Sequence, residues 1–175
     1  MINPTAFRQC ITMKLLLPLI CFAFITELKG QSIGNYDFRN YKVRARGAYK
    51  KAPIRLSADY TDWQNIRYSI KVQYLEKKVN FGGFYIMAHY THGMGTDFGV
   101  IIDTRDGKVY KVPMGGEDNF CDESNHFYHS YSRMFVTTMC PGYGANKRKL
   151  YHVYVWDEAK KQFTLIKKLT PTDIN

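Results

Sequence analysis

Phe98 to Val112 reads FGVIIDTRDGKVYKV, and this stretch decides the fold. Phe98–Asp103 is an apolar, β-branched run of strand length, and Lys108–Val112 is a second. Thr104-Arg105-Asp106-Gly107 lies between them. Asp106-Gly107 supplies the positive φ of a tight hairpin turn, a conformation a side chain adopts only at a cost. The stretch therefore predicts an antiparallel hairpin.

The same kind of run recurs on both sides of it. Phe84–Tyr90 lies upstream, and Met134–Met139, Leu150–Trp156 and Gln162–Leu169 lie downstream, the last two separated by Asp157 to Lys161 as another hairpin. Leu150, His152, Tyr154 and Trp156 share one face, while Tyr151, Val153 and Val155 share the other. This strand is expected to be covered on both sides. Before these runs the pattern is helical: Trp63, Ile66, Ile70 and Tyr74 recur at three- and four-residue steps, which predicts a helix over about 61–78 with its stripe in the core. Thr61 and Gln64 stand at capping-box spacing, and Asn80 to Gly83 brings the glycines expected to end the helix. Further upstream, Tyr36, Phe38, Tyr41 and Val43 permit a short strand, and Pro53 interrupts. The predicted class is α+β: an antiparallel sheet of hairpins with one N-terminal helix packed on or beside it. Repeated hairpins also allow a propeller-like sheet, although the chain is too short for a whole propeller.

The 175 residues are 45% hydrophobic and 15% aromatic, too rich in large apolar side chains for disorder. With 13 Gly and 6 Pro, and no sustained heptad, collagen and coiled coil are excluded. Met13 to Gly30 reads MKLLLPLICFAFITELKG, in which Lys14 precedes an apolar run, Leu15 to Ile25, of 11 residues. A bilayer-spanning helix needs about 20, so this run suits an export signal, with cleavage after Gly30 and Met13 as an alternative initiator. The expected organisation is a signal peptide over 1–30 and a single globular domain over 31–175, secreted or periplasmic, with no stable transmembrane anchor after cleavage. Lipid attachment through Cys21 is the alternative.

Cleavage removes Cys10 and Cys21 and leaves Cys121 and Cys140. In an oxidising compartment the two are expected to bond to each other. The signal also takes Arg8, Lys14, Lys29 and Glu27, which turns the formal +10 into +8. The remaining basic residues are scattered as Lys50-Lys51, Lys77-Lys78, Lys147-Arg148-Lys149, Lys160-Lys161 and Lys167-Lys168. Nucleic-acid binding would gather them on one face among stacking aromatics, so no nucleic acid is expected. A protein or an anionic envelope component fits the excess better.

Asn80-Phe81-Gly82-Gly83-Phe84-Tyr85, the Gly-rich loop His92 to Thr96, Ile101-Ile102-Asp103-Thr104-Arg105-Asp106-Gly107-Lys108-Val109-Tyr110, and a closing Val155-Trp156-Asp157 before Phe163 resemble a pattern of small exported bacterial proteins of unknown function. That pattern runs N-F-A-G-x-Y, then a W-G-C-G loop with a second Cys, then I-D-x-x-T-G-K-V-Y. The resemblance spans about Tyr60 to Leu169 and implies export and a hairpin sheet. It carries no catalytic residue. The chain departs from it where His92 and Thr96 replace the loop cysteines and Tyr90 replaces the Trp.

Two H-x-x-H pairs, His89/His92 and His126/His129, with Cys121, Asp122 and Glu123 nearby, form the candidate chemistry. Imidazole and carboxylate suit zinc or copper if the two segments meet in space. On a strand, however, an H-x-x-H directs its rings to opposite faces. His89 or His92 with Asp97 and a nearby Ser or Thr can also be drawn as a small periplasmic hydrolase, but no G-x-S-x-G accompanies them. His92-Gly93-Met94-Gly95 and Met114-Gly115-Gly116 are not placed between a strand and a helix as nucleotide loops are. They read as long hairpin loops, in which Tyr90, Met94, Met114, Tyr128 and Tyr143 are candidate partner contacts. With no cofactor expected, the sequence reads as a binding protein before an enzyme. An inhibitor- or immunity-like role through loops leads, and a metal-binding protein or hydrolase on the four histidines is the alternative.

Overall fold

The computed structural model describes residues 32–44, 50–57, 64–92, 96–114, 121, 125–142 and 147–174. The export segment, Thr61 and Trp63 lie outside them. The elements in order are β1 (Ser32–Ile33), β2 (Tyr36–Asp37), a 3-10 turn (Phe38–Tyr41), α1 (Gln64–Glu76), β3 (Tyr85–His92), β4 (Thr96–Asp103), β5 (Val109–Lys111), β6 (His126–Tyr128), β7 (Met134–Met139), β8 (Leu150–Asp157), β9 (Gln162–Leu169) and a 3-10 turn (Pro171–Asp173). All strand pairs are antiparallel. β3-β4-β5 forms one sheet and β6-β7-β8-β9 another, so the fold is α+β and mostly β.

The period-two alternation of the strands sorts their side chains into three apolar clusters, one per interface. Ile86, Ala88, Val100 and Ile102 face α1, where Ile66, Ile70 and Tyr74 meet them. Tyr85, Met87 and Ile101 point the other way, onto Phe135, Trp156 and Phe163 of the second sheet. Met134, Val136 and Val153 leave that sheet on its far side and pack on Ile33 and Phe38. The layers run helix, sheet, sheet, N-terminal segment. β8 is covered on both faces, as its sequence required.

The hairpin at the centre of the sequence forms as read. Gly107 has φ +78°, its N–H donates to Asp103 O at 2.8 Å, and Asp103 N–H donates to Lys108 O at 2.9 Å. A Cβ on Gly107 would stand 1.9 Å from Pro53 O, because residues 52–55 run against this turn and bond it through Ala52 N–H to Thr104 O and Arg55 N–H to Gly107 O.

Two expectations are corrected. Asn80 to Gly83 does not end the helix. Gly82 and Gly83, at φ +54° and +79°, make the tight turn that opens β3, and their N–H groups donate to Ser132 O and Ser130 O in the β6–β7 connection. The helix ends at Glu76, where the Lys51 ammonium donates to the carbonyls of Tyr74, Leu75 and Lys77. A cation there satisfies orphan carbonyls and opposes the negative end of the helix dipole, so no glycine is needed. The short strand expected over 36–43 is instead a small hairpin, Ile33↔Tyr36, followed by a 3-10 turn in which the Arg39 N–H donates to Asp37 Oδ1.

Candidate functional site

The layer between the sheets has two ends of different chemistry. At one end His89 of β3 meets His126 and Tyr128 of β6. The His89 ring is 5.5 Å from that of His126 and stacks at 5.7 Å on Tyr128, and its Nε2 lies 3.2 Å from the Tyr128 hydroxyl. His126 Nδ1 bonds Thr137 Oγ1 at 2.9 Å, and its ring lies over Phe135. Register continues the row: Thr137 stands between His126 on β6 and His152 on β8. Burial pushes His89 down to about 4, helped by His126 and Lys77 and opposed by Asp97. Burial likewise lowers His126 and His152. These imidazoles are neutral at neutral pH, because a charge would lie in an apolar layer.

The four predicted histidines are not one group in the described residues. His89 and His126 come together. His129 packs edge-on against Phe38 at 4.6 Å and stacks on Tyr131, on the opposite side of the sheet from His126. His126 opens β6 and His129 follows its last residue, Tyr128, and the two rings pack on different partners, so that H-x-x-H pair does not converge. His92 ends β3 opposite Thr96, and its side chain lies outside the described residues, as do Asp122 and Glu123. Among the described residues, no group of three or more His, Cys, Asp or Glu stands close enough to hold a metal ion.

At the other end a charged cluster joins the β4–β5 turn to the β8–β9 turn. Arg105 clasps Asp103 through Nε and Nη2, and Nη2 also donates to Glu158 Oε1 at 2.6 Å. Lys161 donates to Glu158 at 2.6 Å and to the Tyr85 hydroxyl at 2.9 Å. Glu158 Oε2 accepts from the Tyr85 hydroxyl at 2.6 Å and from Trp156 Nε1 at 2.9 Å. Burial pushes the Glu158 carboxyl up, but the bonds from Lys161, Tyr85, Arg105 and Trp156 outweigh it and bring it to about 2. Burial and the Glu158 bond hold the Tyr85 phenol well above its ordinary range, so it stays a neutral donor. The groups of this cluster partner one another, although Arg105, Lys161 and Glu158 keep about a third of their side chains exposed, so the network is half-buried.

The third feature is the outer boundary of the sheets. β3 and β9, of eight residues each, are outer strands of different finish. On β3 the amide of Gln73 takes both main-chain groups of His89: Oε1 accepts its N–H at 3.1 Å and Nε2 donates to its C=O at 2.6 Å. Asn80 does the same for Met87, accepting at 2.7 Å and donating at 3.4 Å. Two side-chain amides thus stand in for a neighbouring strand. β9 has β8 on one side and, among the described residues, no strand on the other. Thr164 to Lys168 are all exposed, with Leu165 at 41% and Ile166 at 39%. Lys161 and the first two residues of β9, Gln162 and Phe163, line with Val109 to Pro113 and Ser57 an open groove of about 540 Å³, within the common range of binding sites, roughly 300–1,000 Å³.

Cys121 and Cys140 are bonded, with Cα atoms 5.2 Å apart. The predicted contact residues are placed differently from an exposed loop set. Tyr90 stacks on Phe98 at 5.7 Å and packs on the helix-side cluster, and Tyr128 lies against His89. Met114 is 5% exposed and fills the space above Gly99, where an added Cβ would meet its Cε and Sδ at 2.8 Å. Met94 and Tyr143 lie outside the described residues.

Sequence reading passed over Gln73, Asn80, Glu158 and the β9 edge. The signal for the last is the middle of the strand, Thr164 to Lys168, where apolar Leu165 and Ile166 are adjacent and so point to opposite faces, followed by two lysines. No family model, no curated protein and no solved structure matches the chain.

Proposed function

We propose that this chain is an exported binding protein, inhibitor- or immunity-like in that it occupies a protein partner rather than transforming a substrate, and that it does so with the β5–β9 side. The observation that carries this reading is the exposed β9 strand beside an open groove, on a molecule whose other long outer strand is closed by side-chain amides. β9 is exposed from Thr164 to Lys168, and an outer strand exposed in this way is a template for association, which proteins normally blunt. The cystine Cys121–Cys140 supports export, since such bonds persist in oxidising compartments. The surplus of lysine supports an acidic partner. The histidines support catalysis less well, because His89 and His126 already direct a ring nitrogen to Tyr128 and Thr137 within the layer.

A photo-crosslinking side chain placed at Thr164, and separately at Lys71 on the outer face of α1 between exposed Tyr68 and Leu75, tests this in the exported protein. The expected result is a saturable crosslink to one protein from position 164 and none from position 71. A crosslink from position 71 alone moves the partner to the helix. No protein adduct from position 164 overturns the reading.

A further inference from the structure

We propose that the partner docks as an added strand: an extended, acidic segment of a protein pairs with Gln162–Leu165 of β9 and lies in the groove that β9 shares with β5. This rests on the binding reading above and names the mode and chemistry of the occupant.

The length of the pairing segment follows from the register. Val153 pairs with Lys167 and Tyr154 with Leu165, so Ile166 is the extra residue of a bulge. A bulge breaks the even spacing of hydrogen-bonding groups. The regular run before it, paired Trp156↔Phe163, Val155↔Thr164 and Tyr154↔Leu165, is the run that begins in the groove. Its outward N–H and C=O groups have no strand to meet among the described residues, and main-chain bonds supply the affinity of strand addition.

The charge selects the occupant. The groove lining holds no acidic residue; of its two lysines, Lys161 is already engaged by Glu158 and the Tyr85 hydroxyl, so the charge offered to an occupant comes from Lys111 and from Lys167 and Lys168, exposed just beyond the bulge. A second copy of this chain would bring the same lysines against themselves, on a molecule of formal +10. Lysine on an edge is a recognised guard against self-pairing, and the same lysines attract an acidic strand. An acidic lipid or glycan would satisfy the lysines and leave the main-chain groups of β9 unpaired.

The test uses the disulfide-intact protein and three synthetic peptides: an eight-residue alternation of valine and glutamate, its twin carrying N-methyl groups on alternate backbone nitrogens, and the valine–lysine counterpart. Only the first is expected to bind, with slower amide exchange at Gln162 to Leu165, and Lys167→Glu/Lys168→Glu is expected to weaken it about tenfold and flatten its salt dependence. Equal binding of the N-methyl twin, protection elsewhere, or no binding overturns the added strand. If the crosslink from position 164 persists while the peptide fails, the binding reading stands and this inference falls. A concentration-dependent dimer protecting the same amides assigns the edge to a second copy and overturns the acidic partner.

Discussion

The two ends of the inter-sheet layer solve the same problem with opposite means. At the Trp156 end, polar groups are charged and fully partnered: Glu158 takes bonds from Lys161, Tyr85, Arg105 and Trp156. At the histidine end, polar groups are neutral and stacked: His89 lies on Tyr128 and beside His126, and His126 lies over Phe135. The first end holds the sheets by electrostatics that burial strengthens. The second holds them by aromatic packing that survives only while the imidazoles are uncharged. The lesson is that titration, rather than apolar area, distinguishes the two.

The comparison breaks most visibly at Trp156, which is fully buried and within 5.0–5.3 Å of Phe163, Tyr85 and Tyr110. Trp156→Ala is expected to cost about 3–5 kcal/mol in denaturant unfolding without reductant, whereas His126→Gln should cost far less. A larger loss at His126 would reverse the assignment of the stronger end.

Acid sharpens it next. His89 titrates near 4 in the folded chain against an ordinary 6.5, so the unfolded chain binds the proton more readily. Its contribution, at most about 3 kcal/mol, is complete above pH 6.5 and is lost as pH falls toward 4. Glu158, brought from 4.5 to about 2, contributes above pH 4.5 and loses that contribution as pH falls through 2. Stability against pH should therefore fall in two steps, the histidine end first. In His89→Gln/His126→Gln the upper step should shrink to the part left by His129 and His152, which burial also lowers, and the lower remain.

Glu158→Ala leaves the Tyr85 hydroxyl and Trp156 Nε1 without their acceptor. The expected loss is about 1–3 kcal/mol, toward the lower value because Glu158 is 39% exposed. Glu158→Gln should recover part of it, measured by the same unfolding curves.

The smallest effect is expected behind His89. Gln73→Ala removes both bonds to its main chain and should cost about 1 kcal/mol. Faster amide exchange at His89 with an unchanged Trp156 environment would confine the damage to the histidine end.

Much of the scaffold was legible because its signals are local. Asp106-Gly107 names its own turn, and the alternation in Leu150 to Trp156 declares a strand covered twice. The helix stripe of Ile66, Ile70 and Tyr74 reads directly, whereas its end does not, since its cap is Lys51, 26 residues before Lys77. β6 escaped because three residues, His126 to Tyr128, form no run; only the partner strand β7 makes them one. The candidate site was the least legible part. Tyr85 and Glu158 are 73 residues apart, and nothing in either neighbourhood announces the other. His89 and His126 were visible as chemistry, but the face each takes is decided by pairing. Met114, read as a loop contact, is buried because Gly99 leaves room for it.

The amides of Gln73 and Asn80 also set a valence. A fibre needs molecules that recruit at both ends of a sheet, since each addition must present a fresh edge to the next. Of the two eight-residue outer strands only β9 is open, while Met87 and His89 on β3 have already given their main-chain groups away. Under the proposed strand addition, a molecule with one open long edge would accept one strand and then stop. Exposed β structure, ordinarily a route to polymer, would on that proposal serve one-to-one association.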